Sequence, residues 1–457
     1  MKYAVITFGC RVNQADSLAF EEDLLSRGAT ATAPSQADVV IVNTCSVTAT
    51  SDQGARQTIR RVARENPSAK IIVTGCYATR VPQEVAALPN VGRVVGNPDK
   101  ARLVEVTIAP SLTRGVRLHL RAADGRIAHQ PDDRVDRPIG DGPCGAPIEP
   151  GVAGRTAYAL RVQTGCAEPC SYCIIPATRG RPRSTPISDL LRQVDRVIAA
   201  GFKEIALTGV HLGSYGRDLT PRSTLAGLLR GLDRRWRNDE SGSSVLFRIS
   251  SLEPMECTRD IVDLVAGSRS FAPHLHLPLQ HASDRVLRAM RRPYTIDYYA
   301  ALVDDVRARL PNAALGTDVI VGFPGETDGD FEQLASYLER SPLTHVHVFP
   351  YSDRPGTAAS TMSGKIQGAA VRDRARRIRE ISRLLTERFH SRQVGTIHRA
   401  LTLEDGSVVV TGNYLKAAID AGLRRNEWVG VRITSAMPLS AELVQITAAS
   451  CWPADLR

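Results

Sequence analysis

The sequence predicts an α/β protein with an N-terminal parallel α/β domain, a central series of six βα units and a small C-terminal all-β barrel. Three observations carry that expectation. The short β-branched runs "YAVITF", "DVVIVN" and "KIIVTG" alternate with helical patterns near 16–27 and 52–65, as buried parallel strands do. Six further runs precede helical stretches: "AYALRVQ", "KEIALTG", "VLFRISS", "HLHLPLQ", "TDVIVGF" and "HVHVFPY", from 157 to 351. Such a series builds a parallel barrel or an open part of one, with chemistry at the strand C-terminal ends. After an Arg-rich helix at about 369–390, residues 393–449 change to short strands separated by turn residues, enough for a barrel of the OB size class.

With 457 residues, 43% hydrophobic and 23% charged, the chain exceeds one ordinary core and should hold two or three domains. No uninterrupted apolar run of about 18 residues occurs, and the N-terminal stretch lacks the pattern of a secretory leader. The expectation is a cytoplasmic protein with no membrane partner. There thiols stay reduced, so nine cysteines read as ligands, reactive thiols or core residues rather than a disulfide framework. A net charge of +10 and a pI near 9.3 permit a polyanionic partner.

Each of the first three runs leads into a cysteine: Cys10, Cys45 after Thr44, and Cys76. Parallel strands end along one sheet edge, so the three should converge there. Taken singly, each reads as well as a buried thiol. Residues 121–152, rich in Gly, Pro and Asp without an apolar period, read as a linker. The expected division is 1–115, a linker at 116–151, a core at 152–391 and a C-terminal domain at 392–451.

In the core, "GCAEPCSYC" sets Cys166, Cys170 and Cys173 at C-x-x-x-C-x-x-C spacing, just after the first strand of the six. A structural zinc would need a fourth ligand, from Cys144 or a remote histidine. A ferredoxin-type cluster would also take four cysteines, differently spaced. The remaining reading is a [4Fe-4S] cluster with one iron left open to a substrate or cofactor.

That arrangement resembles the radical S-adenosylmethionine (SAM) enzymes, in which SAM chelates the open iron and is cleaved to a 5′-deoxyadenosyl radical. "TFGCRVNQADS", "VVIVNTCSVTATSDQGARQTIRR" and "VTGCYATR" are similar to the N-terminal domain of the radical SAM methylthiotransferases. There three such cysteines hold a second [4Fe-4S] cluster. "KEIALTGVHLGSYG", "HLHLPLQHASDRVLRAMRRPYT", "TDVIVGFPGETDGDFE" and "FPYSDRPGTAA" are similar to that family's core, and "TGNYLKAAID" falls in its RNA-binding TRAM barrel. The resemblance covers nearly the whole chain. "GCRVNQADS", "NTCSVT" and "RISSLEP" resemble the members that act on threonylcarbamoyladenosine in tRNA, rather than on isopentenyladenosine or a ribosomal-protein aspartate.

The resemblance implies transfer of a methylthio group to C2 of N6-threonylcarbamoyladenosine at position 37 of tRNA. One SAM would donate the methyl group and a second would supply the radical. Two [4Fe-4S] clusters on Cys10, Cys45, Cys76 and on Cys166, Cys170, Cys173 are implied, with a low-potential electron donor and the anticodon loops of ANN-decoding tRNAs as partners, and no DNA. Polar acid–base catalysis contributes only about 100- to 10,000-fold, and adenine C2–H is too weakly acidic for it, so a radical route is reasonable and no conventional nucleophile is expected.

Candidate SAM contacts are Tyr172 beside the adenine, Gly209, Gly213, Gly322 and Gly325 after barrel strands, and Ser250 and Glu253 of "RISSLEP". Each has an ordinary alternative, as loop packing, a tight βα turn or a cap. Val210 and His211 stand where many radical SAM proteins carry a Gly-Glu pair. Candidate RNA contacts are Arg56, Arg60 and Arg64, which recur every four residues, Arg179 and Arg181 after the cysteine loop, and Tyr414 in the barrel. The rival of another class is a non-enzymatic RNA-binding protein with structural zinc. Cys144, Cys257 and Cys451 fit neither triad.

Overall fold

In a computed structural model of the chain, residues 1–107, 156–236, 245–420 and 422–445 are described. The expected linker at 116–151, with Cys144, and also Cys451, lie outside them. The chain divides into two compact units, the first holding residues 1–46 and the described residues from 50 to 107, the second holding 47–49 and the described residues from 156 onward.

The first unit is a sheet of β1 (Lys2–Thr7), β2 (Thr30–Ala31), β3 (Val39–Thr44), β4 (Lys70–Gly75) and β5 (Val91–Val95), in the order β2-β1-β3-β4-β5. All pairings are parallel. A sheet covered on both faces needs apolar side chains at successive positions of its central strands. Every residue of β3 is accordingly buried. One face packs Val40, Val42, Ile71 and Val73 against Ile59 and Val62 of helix Ala49–Glu65. The other packs Tyr3, Ile41 and Ile72 against Phe20 and Leu24 of helix Arg11–Ser26. That helix begins five residues before the apolar pattern suggested, directly after Cys10, with no side-chain cap.

The second unit carries β6 (Ala157–Arg161), then a short antiparallel pair β7 (Gln163–Thr164) and β8 (Arg183–Ser184). It continues with β9 (Glu204–Thr208), β10 (Leu246–Ile249), β11 (His274–His276), β12 (Ala314–Val321) and β13 (His345–Pro350). Parallel pairing runs β6-β9-β10 and β11-β12-β13. Backbone bonds from Phe247 to Ser270 and from Leu252 to His276 join the two halves. The result is a partial six-stranded parallel barrel with helices outside. On β12, Thr317 bonds to Tyr299 of outer helix Ile296–Arg309. Alternation along a strand then turns Gly316, Asp318 and Ile320 inward.

Helix Gly368–Gln393 leads into a closed barrel of β14 (Ile397–Leu403), β15 (Val408–Thr411), β16 (Lys416–Ala418), β17 (Trp428–Ala436) and β18 (Leu439–Val444). Its core of Ala400, Val409, Leu415, Val431 and Ile433 also takes in Phe389 of that helix and Ala314 of β12. Asn413 donates to the Asn312 carbonyl and to Gln393, and Arg248 donates to the Gly412 carbonyl. The turn between β15 and β16 is thereby fixed against the N-terminal mouth of the larger barrel.

Candidate metal and cofactor centres

In the first unit the strands preceding Cys10, Cys45 and Cys76 are neighbours. Thr7 pairs with Asn43, and Thr44 with Gly75, so the three cysteines follow the C-terminal ends of adjacent strands about 4.8 Å apart. Gly9, at φ +88°, lies so close to Cys45 that a Cβ there would stand 2.5 Å from the Cys45 Cβ and 2.6 Å from its Sγ. The Cys10 and Cys45 turns are therefore in contact. Asn13 holds both, donating to the carbonyls of Phe8 (2.7 Å) and Thr44 (2.9 Å). Below lies a buried polar network: Asn43 donates to the Asn13 carbonyl and to Ser17, and Lys100 reaches Asn13 and Asp16. Asn97 points its amide at Cys76 Sγ, 3.7 Å away. Cys45 and Cys76 are buried and Cys10 is exposed, which leaves an accessible side.

In the second unit the loop of Cys166, Cys170 and Cys173 follows β7. Gly165, at φ +76°, passes so near the Arg181 carbonyl that no side chain fits, and Cys166 N–H donates to the Gly180 carbonyl. Gln163 ties this loop to the one after β9. Its Oε1 accepts the N–H groups of Val210 and His211, while its amide donates to the Gly165 carbonyl. The sulfurs receive donors as cluster ligands do: Glu168 N–H reaches Cys166 Sγ at 3.4 Å and Arg292 Nη1 reaches Cys170 Sγ at 3.2 Å. Burial raises the Cys166 thiol and pushes Cys173 up to about 12, so ligation must release their protons. Among the described residues all seven cysteines are free of disulfides.

Arg292 is buried and joins the loop to its surroundings. It bonds to Tyr294, whose hydroxyl donates to the Pro278 and Leu279 carbonyls, and it is ion-paired with Glu253. Neither Gln163 nor Arg292 stood out in the sequence. Arg292 lies 122 residues from Cys170, and only barrel closure brings them together.

The other expected contacts are distributed as follows. Tyr172 is half-buried against Val286, Met290, Ile320 and Phe323, and burial holds its phenol well above the ordinary range. Ser250 directly follows β10 with its Oγ buried and without a hydrogen-bond partner, an acceptor or donor left for a ligand. Gly209 lies against Gln163 and Leu212, and Gly213 leaves the space that the Glu256 carboxylate fills. Glu256 and Glu168 flank His211 at 3.8 and 3.9 Å, beside a cavity of about 480 Å³ that His211, Glu168, Arg181 and Arg217 line. Gly322 faces Val371 of the long helix. Its loop is closed by Glu326, which accepts the N–H groups of Gly322 and Phe323 and pairs with Arg374. Gly325 donates to the Gly364 carbonyl.

Of the basic candidates, Arg60, Arg64 and Arg181 are exposed. Arg56 bonds to Tyr77 and Glu84, and Arg179 is buried with Thr164 as a partner. Tyr414 stacks on His274 with centroids 4.9 Å apart and under the Arg248 guanidinium at 4.2 Å, while 42% of it remains exposed. Among the described residues no helix is long and apolar enough to cross a membrane.

Residues 2–96 match the uncharacterized protein family UPF0004, and residues 160–338 match the radical SAM superfamily. Full-length relatives agree with both. The chain is 34% identical to the threonylcarbamoyladenosine tRNA methylthiotransferase MtaB of Aquifex aeolicus, over 91% of this chain and 96% of that one. It is 33% identical to the protein of the same name from Bacillus subtilis, over 90% and 88%. It is 31% identical to the tRNA-2-methylthio-N(6)-dimethylallyladenosine synthase of Carboxydothermus hydrogenoformans, over 87% of each chain. Among solved structures, the radical SAM methyltransferase TsrM from Kitasatospora setae matches with a TM-score of 0.52 at 16% identity, over 79% of this chain and 73% of that one. That likeness concerns the fold.

The family's cofactors are SAM and two [4Fe-4S] clusters, and the residues fit them: two sets of three undisulfided cysteines, each with N–H donors aimed at sulfur, and an unpartnered Ser250 hydroxyl at the strand ends of the second. With both halves matched and relatives similar over nine-tenths of its length, the chain belongs to the radical SAM tRNA methylthiotransferases.

Proposed function

We propose that this enzyme replaces the C2 hydrogen of N6-threonylcarbamoyladenosine at position 37 of tRNA with a methylthio group. The observation that carries the reading is the pair of separate three-thiol sites, one after the ends of three adjacent parallel strands and one in the loop that follows β7. Radical generation and sulfur handling need one such site each. When bound, the clusters and two SAM molecules supply the reducing electron, the 5′-deoxyadenosyl radical, the sulfur and the methyl group.

The protein's own residues do the rest. Cys166, Cys170 and Cys173 form one ligand set, oriented by Gln163 and Arg292. Cys10, Cys45 and Cys76 form the other, oriented by Asn13 and Asn97. We assign Ser250, Glu253 and Tyr172 to SAM contact; Glu253 is linked to the first set through Arg292 and Tyr172 lies within its loop. The exposed Arg60, Arg64 and Arg181 suit the phosphates of an anticodon stem-loop in ANN-decoding tRNAs. A low-potential donor reduces the enzyme in the cytoplasm. The threonylcarbamoyl substrate is favoured because two relatives so named reach 34% and 33% identity, where the dimethylallyl enzymes reach 31–32%.

Mass spectrometry of tRNA nucleosides from a strain lacking this gene tests the assignment. The methylthio-threonylcarbamoyl nucleoside should vanish and return on complementation. Its undiminished presence, or loss of the methylthio-isopentenyl nucleoside instead, overturns the reading.

A further inference from the structure

Halfway down the barrel, three neighbouring strands bring titratable side chains together: Asp318 pairs in register with His347, and His276 lies two residues lower, in the row of Gly316 and His345. His276 on β11, Asp318 on β12 and His347 on β13 are joined through one oxygen: Asp318 Oδ1 lies 2.9 Å from His276 Nε2 and 3.3 Å from His347 Nδ1. The inward turn of Asp318 follows from the outward turn of Thr317. His345, in the row of His276, and His274, two residues lower, stack nearby, with centroids 5.9 Å between His276 and His345. Beneath them the Tyr414 ring covers His274 and Arg248. The N-terminal mouth is therefore covered at this point. Two residues beyond Asp318, Ile320 belongs to the apolar cluster against which Tyr172 of the cysteine loop packs. Two residues along a strand rise roughly 6.6 Å, so Asp318 lies about that far below Ile320 and the cluster that meets Tyr172 of the cysteine loop.

Two polar atoms of this layer have no hydrogen-bond partner among the described residues: the second oxygen of Asp318 and Nε2 of His347. The His347 side chain is 58% exposed and that of Asp318 23%. An ionised acceptor thus stands beside an imidazole whose Nδ1 hydrogen is committed to Asp318, so that Nε2 accepts when the ring is neutral and donates when it is protonated. An alkyl group pressed here would strip water from both and return nothing. A urea or a hydroxyl, which carries both a donor and an acceptor, would satisfy them.

We propose that His276, Asp318 and His347 form the subsite that receives the N6 substituent of the target adenosine, and that this polar layer selects a hydrogen-bonding threonylcarbamoyl arm over an isopentenyl one. The proposal rests on the function proposed above and deepens it. His347 and Asp318 touch the substituent; His276 positions Asp318. A site that hydrogen-bonds its substrate can reject an analogue lacking those groups by as much as about 10⁴-fold, whereas a hydrophobic pocket discriminates far less.

The test uses the reconstituted enzyme and two anticodon stem-loops, one carrying threonylcarbamoyladenosine and one isopentenyladenosine. The ratio of kcat/KM between them is read for wild type, Asp318→Asn, His347→Phe and His347→Gln, with iron content and zinc content measured on each. His347→Phe should lower that ratio by at least about tenfold, and His347→Gln should retain part of it. Asp318→Asn, nearly isosteric, guards against a folding artefact and should also lower the ratio. An unchanged ratio in variants that keep their iron overturns the subsite while leaving the assigned reaction standing. A wild type inactive on the threonylcarbamoyl stem-loop overturns the function proposed above, and the subsite with it. One zinc per chain, lost in His276→Asn, would make the layer a metal site instead and also overturns the subsite.

Discussion

Arg292 places one arm 3.2 Å from Cys170 Sγ while its other arm pairs with Glu253, so a single buried guanidinium spans a cluster ligand and a candidate SAM contact. Hydrogen bonds to sulfur are among the levers that set cluster potential. Arg292→Met removes the donor and concentrates negative charge on the sulfur. The midpoint potential should move to more negative values, and 5′-deoxyadenosine formation should slow by about tenfold or more, equivalent to about 1.4 kcal/mol. Arg292→Lys should recover part of both. An unmoved potential at full iron content would show that Arg292 only packs the loop.

Gly9 is the point at which the Cys10 turn touches Cys45. Alanine at a left-handed φ costs about 1–2 kcal/mol, and its methyl would also meet Cys45 at 2.5 Å. Gly9→Ala should therefore lose the iron of the first site and lower the thermal midpoint, while the Cys166 site still cleaves SAM. Iron analysis beside differential scanning calorimetry checks it; full iron content contradicts the close approach.

Lys100 and Asp16 form an ion pair at 2.6 Å with side chains 5% and 1% exposed, under the turns of Cys10 and Cys45. Removing one partner of such a pair costs about 3–5 kcal/mol, whereas replacing both by apolar groups is often nearly neutral. Lys100→Met should lower the urea midpoint strongly, and adding Asp16→Leu should restore most of it. Equal losses in the single and double variants would show that Lys100 matters through its bond to Asn13 instead.

Two imidazoles, His281 buried and His398 half-buried, make the second unit sensitive to acid. Burial, aided by Arg374 and Arg285 and opposed by Asp330, pushes His281 down to about 4, and burial alone does the same to His398. In the unfolded chain both take a proton near pH 6.5. Their contribution is therefore complete above about pH 6.5 and is lost as the pH falls toward 4, up to roughly 3 kcal/mol for each. Urea midpoints of the second unit should fall across that window. His281→Asn, which keeps an acceptor for the Ser283 N–H, should flatten the slope.

Much of this was legible because both ligand sets are local to strand ends. "DVVIVN" and "KIIVTG" mark strands buried on both faces, and cysteines directly after adjacent parallel strands must meet. What escaped notice depends on barrel closure: Arg292 on Cys170, Gln163 across two loops, and His276, Asp318 and His347 on three strands. Arg56 and Arg179 illustrate the opposite limit. Their spacing marks a basic surface, yet their guanidinium groups are turned to Tyr77, Glu84 and Thr164. The Arg-rich helix is likewise largely answered in place, with Arg374, Arg377 and Arg383 paired to Glu326, Glu332, Glu380 and Glu387. Residue type shows that a charge exists; only packing shows what it faces.

The central claim is that this chain holds two clusters on two three-thiol sites. Anaerobic iron and sulfide analysis tests it most directly, comparing the reconstituted wild type with the Cys10/Cys45/Cys76→Ala and Cys166/Cys170/Cys173→Ala triple variants. Each variant should keep about half of the iron and sulfide, as expected when one of two four-iron clusters is lost. Full content in either triple variant would contradict the account.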